Sequence, residues 1–404
     1  LNAMEAADLK KLSTAQIGFL KADQVASLST AQLNNLTTTQ VQALTGAQLA
    51  SLTTAQMANL STDSLQALTT AQAKSLTAVQ INALGSNLTK LETADVANLA
   101  ANTISGLSNT TVTNLSSDQV KALTKTQLQA MTSGQLNALD SADVSKMGTD
   151  QISGLKAEQV AKLNSTQLSA LTTGQIQSLT NAQVLGLTTA QMGKLGTDQL
   201  QALTTSQARM LSATQVNALS TDQVGKLETV DVAALSANAV SGMSTANVKA
   251  LTSDQVKALG KAQLQSLTGG QLNALDTSDV AAMSVEQIGN LTAAQMGQLS
   301  TGTLNALTNA QLQSLSAAQL AGLTTSQMKG LTTDNLQALT TAQFKALSAA
   351  QVNGITAANI AKIQTQDLAA LTANTISALA TATAAGLSTD QIQALTQSQL
   401  SAMG

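Results

Sequence analysis

From Leu12 to Met403 a Leu, Met or Ile stands at every eighth position, 50 times in all, and the only irregular step is the seven residues between Leu84 and Leu91. An uninterrupted α-helix turns once in about 3.6 residues, so its apolar stripe would drift by roughly 80° per octad and face no single partner. Coiled coils need a mean apolar spacing of about 3.5. Half-buried strands need strict alternation, and Ala, Gln and Leu are not strand-forming residues. What survives is a short helix that starts afresh every eight residues, spanning about six residues or roughly 9 Å.

The unit reads [Ser/Thr]-x-x-Gln-[Leu/Val/Ile/Met]-x-small-Leu, as in Thr53 to Leu60, Thr69 to Leu76, Thr188 to Leu195 and Ser388 to Leu395. Ser or Thr followed three places later by Gln is the signature of a capping box, in which two orphan donors at a helix start are satisfied reciprocally. Asp140, Asp276, Asn164, Gly148 and Gly196 are acceptable substitutes at place one, whereas Lys21, Lys156 and Ala380 are not. A helix this short is not stable alone, so neighbouring units must bury what one cannot. The expected fold is all-α: a right- or left-handed superhelical solenoid of very short helices, one per octad, with place five and the closing Leu inside and Gln, Lys, Asp and Asn outside.

A second period of 136 residues, or 17 octads, is carried by the exceptions. Glu92, Glu228 and Gln364 open octads in which Asp95, Asp231 and Asp367 replace Gln. Asp140 with Asp143 recurs as Asp276 with Asp279, and Met57 matches Met192 and Met328. One elongated repeat domain is expected over 4–404, made of a partial copy 5–91, full copies 92–227 and 228–363, and a partial copy 364–404. Residues 1–3 read as an expression-tag remnant, and the whole as a piece of a longer array. A face lined by the exceptional octads and a relic of duplication both account for the long period.

Composition narrows the function classes. The net charge of −3 is spread thinly, with one Arg (Arg209) and dispersed Lys, so nucleic acid, which needs clustered cations or stacking aromatics, is not an expected partner. The text Leu251 to Leu259 resembles the opening of the helical repeats in bacterial transcription-activator-like DNA-binding effectors, but those repeats are much longer and carry a base-reading loop without counterpart here. No Cys and no Pro occur, and no apolar run is long enough for membrane insertion. Phe19 and Phe344 are the only aromatic residues, and Phe344 fills a place that Ala73 and Ala208 hold in the other copies, a swap that requires repacking.

With no His, Cys, Tyr or Trp, the usual nucleophiles, general bases and transition-metal ligands are missing. Paired carboxylates are what is left: Asp140 with Asp143, Asp276 with Asp279, Glu92 with Asp95 and Glu228 with Asp231. A hard cation between two such groups is conceivable, but Asp in a first helical turn is favoured by the helix dipole alone, and no calcium-loop pattern accompanies them. These eight are therefore candidate contact residues, and no catalytic, cofactor or metal residue is assigned. Lys74, Arg209 and Lys345 share one place in equivalent octads and read as solvated. Glycosylation-like triplets occur at Asn35, Asn59, Asn87 and Asn290, and three of them, at Asn35, Asn59 and Asn290, follow from the octad itself. Rows of Ser and Thr suggest ice or mineral binding, but capping already employs those hydroxyls.

The Thr/Gln/Leu octads resemble the repeat tracts of very large bacterial surface and secreted adhesin-like proteins over essentially the whole chain. That resemblance implies a non-enzymatic, elongated structural or spacer module, extracellular or on the cell surface, with self-association compatible with the pattern. The alternative is a binding solenoid whose concave face takes a protein, peptide or glycan partner. The resemblance brings no functional residue or cofactor with it, and haem ligation would have only Met to draw on.

Overall fold

A computed structural model describes residues 3–403; the tag reading of residues 1 and 2 falls outside them. The described residues hold only helices and turns: 49 α-helices of four to six residues and one 3-10 helix, with no strand. By compactness the chain divides into two units, Leu1–Leu203 and Thr204–Gly404. Nothing in the octad text marks the boundary, since Thr204 opens an ordinary capped helix. Everything below applies within one unit or the other.

One octad closes its backbone account almost unaided. In the helix Ser117–Ala122, Ser116 is extended (φ −73°, ψ 157°) and its hydroxyl accepts from the N–H of Gln119, whose side chain accepts from the N–H of Ser116 in return. Val120 N–H then bonds to the Ser116 carbonyl at 2.9 Å, and Leu123 N–H to the Val120 carbonyl at 3.2 Å. Leu123 is extended again (φ −58°, ψ 130°), which turns the chain out of the helix and presents the next Thr as a cap. Val120 is 0 % and Leu123 2 % exposed, so the two apolar places form the core and the cap residue faces outward. Reciprocal satisfaction of this kind is the condition for burying so many helix ends.

Stacking supplies what the single turn lacks. Helices pack on those three octads further along, as Ala101–Ser105 does on Lys125–Ala130 and Ala237–Ser241 on Lys261–Ser266. The core is aliphatic throughout apart from Phe344, which is 1 % exposed; the counterpart places hold Ala73 and Ala208, both buried. Phe19, by contrast, stands 84 % exposed at the end of the helix Thr14–Phe19. Close approach depends on small residues at place seven. A Cβ on Gly322 would meet the Ala293 carbonyl oxygen at 2.2 Å, and one on Gly242 the Ala213 Cβ at 2.3 Å.

The structure corrects the expectation for Gln. Place-four Gln does not face solvent: Gln48, Gln119, Gln183 and Gln255 are each 1 % exposed. Its amide has two ends, and the capping box uses only the oxygen. The nitrogen points into the stack and donates to main-chain carbonyls 28 and 31 residues earlier, as Gln255 does to Leu227 at 2.8 Å and Val224 at 2.9 Å. Those are the carbonyls of places eight and five, four octads back: the first would have no donor in an isolated short helix, and the second already accepts from its own place-eight N–H, as Val224 does from Leu227 at 3.2 Å. The seven-residue unit keeps the register differently. Gly85, at φ +56°, opens the 3-10 helix Gly85–Lys90, a left-handed conformation that glycine adopts without strain. Leu88 stays fully buried there, and the Leu88 and Leu91 carbonyls take the Gln119 amide as in any other octad.

Candidate functional site

The places where Gln is missing fall into distinct kinds. In one, a short polar residue stands at place four and the N-cap N–H finds its acceptor elsewhere. Ser61 N–H donates to Asn34 Oδ1 at 2.8 Å, and Asn34 Nδ2 donates to the Asn59 carbonyl at 2.8 Å. Asn82, Asn217, Asn273, Asn305 and Asn353, all at place six, do the same for Ser108, Ser244, Ser300, Thr332 and Ala380. The octads served carry Thr111, Asn247, Thr303, Asn335 and Thr383 in place of Gln. A seventh, Asn137, holds Asn164 N–H at 2.8 Å although Gln167 is present. Gln167 Oε1 is consequently buried without a partner.

This pairing was missed from sequence, although it is written there. Each place-six Asn precedes its place-four partner by 30 residues, or 29 across the short unit. The signal lay in relating two exceptions to each other rather than each to the consensus. Equally unexpected is the cap at Lys21 and Lys156, where Gln24 and Gln159 still accept from the place-one N–H at 2.8 and 2.9 Å with no capping hydroxyl present.

In the other kind the replacement is Asp. Asp143 and Asp279 are buried and accept from Ser117 and Ser253 hydroxyls, each at 2.5 Å. Lys146 Nζ donates to that Ser117 hydroxyl at 3.1 Å. Asp367 accepts from Thr341 at 2.7 Å. Asp95 and Asp231 have no such relief: one oxygen of Asp95 and both of Asp231 are buried without a hydrogen bond. Burial, and secondarily the charges of Glu92 and Glu228, push both carboxyls up from 3.8 to about 6. An ionised oxygen without donors or water is the costly form, which is why these two favour the proton.

Four of the eight candidate contact residues, Asp95, Asp143, Asp231 and Asp279, are thus inside the stack. Glu92, Asp140, Glu228 and Asp276 remain at the surface. Asp140 caps its helix through Ala142 N–H at 2.8 Å. Asp276 does not cap, contrary to expectation; its carboxylate instead lies 3.9 Å from Lys249 Nζ. In both octads the place-four N–H bonds to the place-one carbonyl, Asp143 to Asp140 at 3.0 Å and Asp279 to Asp276 at 2.9 Å. Glu92 and Glu228 make no cap bond either.

Among the described residues no group of three or more acidic side chains is placed to hold a metal ion, and no helix is long and apolar enough to cross a membrane. Two open grooves lie between coils. Thr172, Thr173, Lys194 and Asp198 line one, and Thr325, Ser326, Lys329 and Asn353 the other.

A family model for the ALTTAQ repeat matches residues 1–38, 147–181, 160–197, 192–229, 224–261, 296–333 and 360–397, together more than half of the chain. The chain belongs to the ALTTAQ-repeat family. The six letters occur verbatim at Ala67 to Gln72 and again at Ala338 to Gln343. In structural terms the ALTTAQ text is a junction, running from the last two places of one octad through the cap to the Gln of the next. No curated protein matches the chain. ALTTAQ repeats here build a helical repeat protein in which the first Thr and the Gln of the text make the hydrogen bonds and the Leu packs in the core, as Thr69, Gln72 and Leu68 do.

Proposed function

We propose that this chain is a non-enzymatic structural module, a spacer within a large bacterial surface or secreted adhesin-like protein. The observation that carries the reading is where the polar groups go. Cap hydroxyls, Gln amides and place-six Asn amides are spent on the repeat's own backbone. Three ion pairs are formed among the described residues, all between exposed side chains, and such pairs contribute little. A repeat whose fixed residues all serve stacking suits a part that holds other parts apart.

Its reach should then scale with the number of coils. Excising residues 92–227 joins Leu91 to Glu228 in octad register. The shortened chain should keep the same helicity per residue by circular dichroism while its longest dimension in solution scattering falls roughly in proportion. An unchanged dimension, or a chain that no longer folds, would sink the spacer reading. Antibody labelling of intact producing cells tests the surface location. Turnover of ester, peptide or glycoside substrates that is lost in Asp140→Asn or Asp276→Asn would overturn the non-enzymatic part.

A further inference from the structure

The Asp octads leave a chemical gap at a defined place. From Gln40 to Gln80 and again beyond Asp95 the place-four amide nitrogen donates to carbonyls four octads back, and next to Asp95 the pattern is intact: Thr103 Oγ1 donates to the Leu76 carbonyl at 2.9 Å, and Gln119 to Leu88 and Leu91 at 2.8 Å. The corresponding carbonyls for Asp95 are those of Leu65 and Leu68, and no side-chain donor reaches either. A carboxylate brings only acceptors to that place. A side chain of this length does span the gap when it carries a donor. Asn247 Nδ2 reaches the Val216 and Leu219 carbonyls, both at 3.3 Å, and Asn335 Nδ2 reaches Leu304 at 3.3 Å. Aspartic acid is the isostere of asparagine, and in its neutral form it has one O–H to give.

We propose that the Asp95 carboxyl, 2 % exposed and with a buried oxygen lacking any partner, is a proton-binding site whose O–H replaces the Gln amide as the fastening to the coil four octads back. The proton comes from solvent, and no other bond is made or broken. Asp231, one long period later, is 3 % exposed with neither oxygen partnered. The third copy differs at both points that matter: Gln364 replaces the Glu, and Thr341 supplies Asp367 with a donor.

The charged surroundings of Asp95 are sparse. The helix Thr93–Asn98 packs against Ser117–Ala122 and Thr70–Ala73. The first carries Asp118 and Lys121, and Lys74 follows the second; Lys90 precedes the octad and Asp63 lies four octads back. None of these pairs with Asp95, and Glu92 is the charge that acts on it. The direction of the response follows from linkage. The folded carboxyl titrates at about 6 against 3.8 for the free group, so the folded state binds the extra proton. Stability rises as pH falls from above 6 towards 4, and is lost again on the way up.

Hydrogen exchange on the full chain at pH 5 and pH 7.5, expressed as protection factors, tests the proposal through the amides of residues 61–68 and 92–99. In the wild type they should be better protected at pH 5. Asp95→Asn should remove the pH response and hold protection at the wild-type pH 5 level. Asp95→Leu, which removes the charge without adding a donor, should remove the response but leave protection lower. Equal protection at both pH values in the wild type overturns the proposal, as does a pH response that survives in Asp95→Asn. If Asp95→Leu matches Asp95→Asn, the donor is irrelevant and the fastening is wrong. If calcium or potassium chloride at pH 7.5 restores the pH 5 protection, the site takes a metal cation rather than a proton.

Discussion

A single residue, the place-four Gln, does three jobs: its backbone N–H bonds to the cap hydroxyl, its side-chain oxygen holds the cap N–H, and its side-chain nitrogen holds the coil beneath. Replacing Gln255 by Ala strands the Thr252 N–H and the Leu227 carbonyl and leaves the Val224 carbonyl with the Leu227 N–H alone, and each buried polar group left without a partner costs about 1–3 kcal/mol. Denaturant unfolding of Gln255→Ala should therefore show a loss well above that of an exposed Gln→Ala, for which Gln366 is a control. The Asn code makes a sharper prediction. In Asn273→Ala the Ser300 amide loses its acceptor and its protection from exchange. In Asn137→Ala the Asn164 amide should keep its protection, because the idle Gln167 Oε1 is at hand to accept. Of this scale the sequence disclosed the cap and its box, since both partners lie within four residues. It did not disclose the second end of Gln, whose partners lie 28 and 31 residues away and belong to the featureless backbone.

For the helix and its neighbours, legibility was high. Helix length, the start at Ser or Thr and the exit at Leu all follow from local chemistry, and the period alone excluded the competing folds. The form of the seven-residue unit was not legible, because a deleted residue gives no indication whether the turn tightens or the stack shifts. Gly85 at positive φ is the physical answer. Packing distance between elements rests on glycine at place seven, and the glycines are not equivalent. Gly322→Ala drives a Cβ into the Ala293 carbonyl and should destabilise by about 1–3 kcal/mol. Gly289, which closes the helix Val285–Gly289 with nothing within 4 Å of an added Cβ, should gain about 0.4–1 kcal/mol as Ala through a less flexible unfolded chain. Opposite shifts in melting temperature would check the pair, and two shifts of one sign would refute it.

Across the molecule, the place-four Gln bonds run one way. Each of these amide nitrogens reaches from a later octad to an earlier one and spans at most 31 residues where it is seen, as with Gln48 to Ile17 and Gln391 to Ile360, while place-six amides such as Gln129 reach forward only 25 residues, to Gly154. During synthesis, then, a newly emerged octad with Gln at place four arrives carrying its own connector, and the surface it needs is already finished. Assembly can proceed like masonry, course upon course, with no segment kept waiting for a distant partner. Chains of any length built from this text should fold at a pace set by one course rather than by the size of the wall.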